Sequence, residues 1–171
     1  MDANPAFKRA AAKARRPLTF VGRTSMGPGD DCPAHLVRYC RGSAISKLAG
    51  LLQLALPAMQ DWEVIVADPA RVAEFLAAYV EATLDDDDRF VLMQIIIASL
   101  DDARTAHENV GPWWPRVEAL LRRDPRLHAA TLSYWACGDD PDPDHQLPMT
   151  PEIQRVWRDV RFDLATSDPS R

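Results

Sequence analysis

Residues 88–106 read DRFVLMQIIIASLDDARTA, and the fold turns on how they are read. Phe90, Met93, Ile97 and Leu100 recur at intervals of three and four, which gives a helix an apolar face. Val91, Leu92, Ile95 and Ile96 carry that surface nearly all the way round. Only a thin polar line is left, through Gln94, Ala98, Asp101 and Thr105. A helix apolar on almost every side belongs in the middle of a folded domain. It is too interrupted to span a bilayer, which takes about 20 mainly apolar residues. Burying five of its large side chains contributes on the order of 10 kcal/mol. That exceeds what helix propensity gives an isolated segment of this length. The expectation is an all-α chain: a single compact bundle of five to six helices around a buried central helix at 88–106.

Working outward, Asp85, Asp86, Asp87 and Asp88 end the preceding helix and put negative charge at the N-terminus of the central one, where the helix dipole favours it. Asp68-Pro69 is a helix start: the carboxylate caps free N–H groups and proline takes the first helical position. Val72, Phe75, Leu76, Tyr79 and Val80 then face inward, with Arg71, Glu74 and Glu81 outward. Ser43 reads as the N-cap of a helix running to about Leu56, with Ile45, Leu48, Leu51, Leu52 and Ala55 inside. Between these helices, DWEVIVAD reads as a short edge strand or as an extended link whose Trp62 packs into the core.

Downstream, Trp113, Trp114 and Pro115 lead into a short helix with Val117, Leu120 and Leu121 inside and Glu118 paired with Arg122 on the outer face. Asp124-Pro125 repeats the start signal for a helix with Leu127, Thr131 and Tyr134 on one face and Leu132 and Trp135 beside it, stopped at Gly138. Thr150-Pro151 opens the last helix, with Ile153, Val156, Trp157, Val160 and Leu164 at helical spacing.

Charge divides the chain. Residues 1–43 hold 8 Lys and Arg against 3 Asp and Glu, whereas residues 44–171 hold 12 against 22. The expected organisation is a basic, largely irregular leader (1–42), an acidic helical domain (43–164) and a tail (165–171). An acidic body repels nucleic acid and membrane surfaces and attracts basic proteins. With 171 residues the chain suits one domain, and 14 prolines against 7 glycines favour helices over strand-and-turn chemistry. Three cysteines do not make a disulfide framework, and the N-terminus lacks an apolar stretch of signal-peptide length, so the expected location is cytoplasmic.

Candidate chemistry is sparse. Asp140-x-Asp142-x-Asp144 begins like a calcium loop, but His145 stands where glycine is needed and Pro151 where the bidentate Glu is needed. Cys32, His35 and Cys40 supply three zinc-ligand types with Cys137 remote, without the two tight pairs of a structural site. His128 and Cys137, nine residues apart, fall on opposite sides of one helix and make no dyad. No nucleophile elbow, phosphate-cradling glycine loop or HExxH motif is present, so neither an enzyme nor a cofactor is expected. The candidate partner-binding residues are the acidic groups at helix ends and loops, Asp85, Asp86, Asp87, Asp88, Asp101, Asp102, Asp139, Asp140, Asp142 and Asp144, together with the Pro-flanked Trp113 and Trp114.

The succession Asp61-Trp62, Phe75-x3-Tyr79, Phe90-x2-Met93, Ser99-Leu100-Asp101-Asp102, Leu127-His128, Tyr134-Trp135 and Thr150-Pro151 resembles a loosely defined group of small, mostly uncharacterised all-helical bacterial proteins of the toxin-immunity type. The likeness covers roughly residues 60–160 and rests on core and capping positions. It implies a helical fold and a cytosolic immunity protein that neutralises a toxin by occluding it, with a basic protein as partner. Two alternatives stand beside it: a metal-dependent enzyme or regulator using Cys32, His35 and Cys40, and a nucleic-acid-associated regulator docking through Lys8, Arg9, Lys13, Arg15, Arg16 and Arg23 of the leader.

Overall fold

The computed structural model describes residues 32–56, 62–80, 83–137 and 146–166, and every regular element among them is a helix. The α-helices are α1 (Gly42–Leu52), α2 (Trp62–Val66), α3 (Val72–Tyr79), α4 (Asp86–Thr105), α5 (Trp114–Arg123), α6 (Ala129–Trp135) and α7 (Thr150–Thr166), with 3-10 turns at Ala34–Leu36 and Pro69–Arg71. None of the described helices is long and apolar enough to cross a membrane.

The fold is built around α4. Val91, Leu92, Met93, Ile95, Ile96, Ile97 and Leu100 are all fully buried, as the apolar run requires. Helices α1, α2, α3 and α6 pack against it, and α7 lies across α5 and α6. On the thin polar line Gln94 and Asp101 are half-buried, and each is tied to a neighbour. The Gln94 amide donates to Thr131 Oγ1 at 3.2 Å and accepts from Trp135 Nε1 at 3.1 Å, joining α4 to α6. Asp101 Oδ1 accepts from the Met149 backbone N–H at 2.9 Å, just before α7 starts. Ser99, also buried, donates to its own helix at Ile95 O (2.7 Å) and accepts from the Asp68 N–H (3.0 Å). A buried polar group without a partner costs about 1–3 kcal/mol, so these bonds are what allow α4 to be central on every side.

Several helix starts follow the sequence. Asp68 accepts from the Ala70 N–H at 3.0 Å with Pro69 at the first position of the 3-10 turn that opens into α3. Thr150 Oγ1 accepts from Leu147 N–H at 3.0 Å and donates to Trp135 O at 3.0 Å, fixing the start of α7 against the end of α6. Glu118 and Arg122 pair at 2.9 Å.

Other expectations are corrected. Residues 62–66 are neither strand nor extended link but the five-residue helix α2; Trp62 is buried as anticipated and donates from Nε1 to Ala55 O at 2.8 Å. That turn brings the described helices to seven. Helix α1 begins at Gly42, its N-cap position is Arg41 with no side-chain cap bond, and Ser43 lies inside the first turn. The inner face of α1 is Ala44, Leu48, Ala49 and Leu52; Leu51 is exposed, and Ala55 falls after the left-handed Gln53 (φ 52°) that stops the helix. Val80 points outward, because α3 has already ended at Tyr79. Asp124 closes α5 and does not cap the next helix: residues 125–128 form turns, and α6 starts only at Ala129. The four-residue shift turns Tyr134 outward and buries Leu132 and Trp135. The left-handed stop after α6 is Cys137 (φ 54°), and Gly138 lies outside the described residues.

Candidate partner-binding groove

The end of the leader lies on the bundle. Cys32 is buried in the core, and Leu36 and Cys40 pack against it. From Val37 on, residues 37–41 run without regular structure past the N-terminus of α4. This crossing leaves a groove of about 780 Å³ with residues 37–41 on one wall and residues 85–87 on the other.

The four consecutive aspartates divide into distinct roles along that wall. Asp88 is 2% exposed and closes a reciprocal capping box: it accepts from Asp85 N–H at 3.0 Å, and Asp85 accepts from Asp88 N–H at 2.9 Å. Lys47 of α1 pairs with the Asp88 carboxylate and also donates to Thr83 O at 2.8 Å. Asp87 takes two cations from the leader, Arg38 at 2.6 Å and Arg41 at 3.1 Å. The Arg38 guanidinium also lies 6.0 Å from the Phe90 ring centroid. Asp85 and Asp86 are exposed. The Asp88 N–H holds the Asp85 carboxyl below the usual carboxylate range, so Asp85 stays charged at neutral pH.

Lining the same groove are Tyr39, 78% exposed, and Val37, 43% exposed. A largely bare tyrosine beside exposed carboxylates, on a concave surface, has the composition of an interface anchor with a charged rim. Neither Tyr39 nor Val37 stood out in the sequence, because a loop carries no hydrophobic period. The available signal was an aromatic between two arginines in RYCRG.

The remaining sequence candidates are placed as follows. Asp101 is committed to the Met149 N–H, and Asp102 is half-buried on the last turns of α4. Trp113 and Trp114 are both half-buried against the core, so neither ring stands clear as an anchor. Trp114 borders a second, smaller cleft of about 350 Å³ between α5 and α7, where Arg122 bridges Glu118 and Asp159 (2.8 Å). Asp139, Asp140, Asp142 and Asp144 lie outside the described residues, as do the six basic residues of the leader from Lys8 to Arg23.

Cys32, His35 and Cys40 are not brought together: among the described residues no three His, Cys, Asp or Glu side chains are placed to share a metal ion. His35 is exposed on its 3-10 turn, and burial reinforced by the charge of Glu63 pushes the Cys40 thiol up to about 11. A thiol held protonated is poorly suited to ligate. His128 and Cys137 are also separate. His128, fully buried, bonds the Tyr79 hydroxyl through Nε2 at 2.7 Å, and the Cys137 sulfur lies 3.4 Å from Thr150 Oγ1. Burial holds His128 neutral, with its pKa pushed down to about 3, and raises Tyr79 to about 12. Neither group offers a proton-transfer site near pH 7. Comparison with protein-family models, with curated proteins and with solved structures finds no match for this chain.

Proposed function

We propose that this chain is a non-catalytic protein-binding protein that seats a basic partner in the groove between residues 37–41 and residues 85–87. Its role would be that of a cytosolic immunity protein, neutralising a bacterial toxin by covering it. The observation that carries this reading is that the exposed Tyr39 and the exposed Asp85 and Asp86 line the same groove. An acidic wall speeds encounter with a basic surface, and a desolvated aromatic ring slows its departure. The acidic excess of residues 44–171 steers in the same direction. Occlusion needs only a complementary surface.

Co-expression with the toxin encoded next to this chain's gene is the test. The reading expects host growth to be rescued, and rescue to fail with Tyr39→Ala combined with Asp86→Lys while the variant stays folded. Host death despite full expression of the wild-type chain, with no complex on mixing the purified proteins, would rule the reading out.

A further inference from the structure

Residues 37–41 form one wall of the groove, yet very little fastens their middle to the bundle. Leu36 just before it and Cys40 within it pack against the core, and its two ion pairs, from Arg38 and Arg41, both end on a single carboxylate, Asp87. Arg38 is about one third exposed and Arg41 about two thirds exposed, so water competes for both pairs. The neighbouring carboxylates, Asp85 and Asp86, are exposed and, among the described residues, accept no leader cation. A cationic chain arriving at the groove therefore meets free negative charge first and reaches Asp87 next, where it competes with Arg38 and Arg41 for the same oxygens.

We propose that residues 37–41 are a strap latched by Asp87, and that a basic polypeptide entering the groove displaces Arg38 and Arg41 from that carboxylate and opens it. This rests on the basic-partner reading above and adds its regulation: the groove is narrowed by the chain's own arginines until a stronger cation competes. Opening lifts Tyr39 with the strap and uncovers Cys40, which supplies the readout. In the latched state the Cys40 thiol is half-buried and protonated at neutral pH, so slow reaction with maleimide is expected.

The experiment follows alkylation of the full chain by N-ethylmaleimide, with peptide mapping to separate Cys32, Cys40 and Cys137, in the presence and absence of a fluorescein-labelled hexa-arginine peptide. Saturating peptide is expected to speed alkylation at Cys40 about tenfold, the scale of two partly exposed ion pairs, and to leave Cys137 unchanged. Asp87→Asn is expected to give the fast rate without peptide and no further gain with it. Arg38→Gln combined with Arg41→Gln opens the strap from the other side and gives the same result. Peptide that binds by anisotropy but leaves the Cys40 rate unchanged overturns the latch while the basic-partner reading stands. Peptide that does not bind at all overturns both. Wild-type Cys40 rates in Asp87→Asn and in the double arginine variant also overturn the latch.

Discussion

The two ends of α4 carry the same kind of residue and use it differently. At the N-terminal end a run of four aspartates meets the leader and the solvent; at the C-terminal end Asp101 and Arg104 meet α7. Asp101 bonds the Met149 N–H, and Arg104 pairs with Glu152, which is only 8% exposed. There the charged groups are internal ties between elements. At the N-terminal end Asp88 is such a tie, to Lys47 and the capping box, whereas Asp85 and Asp86 stay exposed beside Tyr39. An acidic run is therefore no unit of function. Each carboxylate is assigned by what packs beside it.

Four measurements would break or sharpen that contrast. The largest effect is expected behind the N-terminal end, at the buried Tyr79–His128 pair, where Asp124, Arg123 and Arg38 are the charged groups acting on the imidazole. The folded pKa of about 3 lies below the ordinary histidine value, so the unfolded chain takes up the proton more readily. The stability this histidine contributes is complete above about pH 6.5 and is lost as pH falls toward 3, by up to about 1.4 kcal/mol per unit. Urea denaturation across that range should show the slope, and His128→Gln should flatten it.

Next comes the internal member of the aspartate run. Asp88→Ala leaves Lys47 facing a buried gap and opens the capping box, at an expected cost of about 3 kcal/mol. Asp86→Ala should change stability by less than about 0.5 kcal/mol. Equal effects at the two positions, by chemical denaturation, would erase the distinction drawn here. At the other end Arg104→Met leaves the Glu152 carboxylate with only the long Arg155 pair at 3.9 Å and should cost about 2 kcal/mol, discounted for the partial exposure of Arg104. Smaller again is Asp101→Ala, which leaves one backbone N–H unbonded before α7 and should cost about 1 kcal/mol.

The sequence made the centre of this fold legible and left its edges ambiguous, for physical reasons. Twenty residues of α4 supply enough turns for a period to show, and Asp68-Pro69 and Thr150-Pro151 carry their start signals in two residues each. The five residues of α2 are too few for a helical period to separate from alternation. At Asp124-Pro125 the same dipeptide that starts helices elsewhere serves as the close of α5, a choice made by tertiary packing. The candidate site was half legible. Spacing located the acidic run at the start of the central helix but could not tell Asp88 from Asp86, since one lies under Lys47 and the other in solvent only once α1 is docked. Tyr39 went unseen because its role comes from where the leader crosses the bundle.

The groove itself is tested most directly by the affinity of the labelled hexa-arginine peptide, standing in for the basic partner proposed above, for three forms of the chain, measured by calorimetry: wild type, Tyr39→Ala and Asp102→Ala. Loss of an anchoring aromatic ring should weaken binding at least about thirtyfold with thermal stability unchanged, and Asp102→Ala should bind as wild type does. A Tyr39→Ala variant that holds the peptide as tightly as wild type would place the interface elsewhere on the molecule.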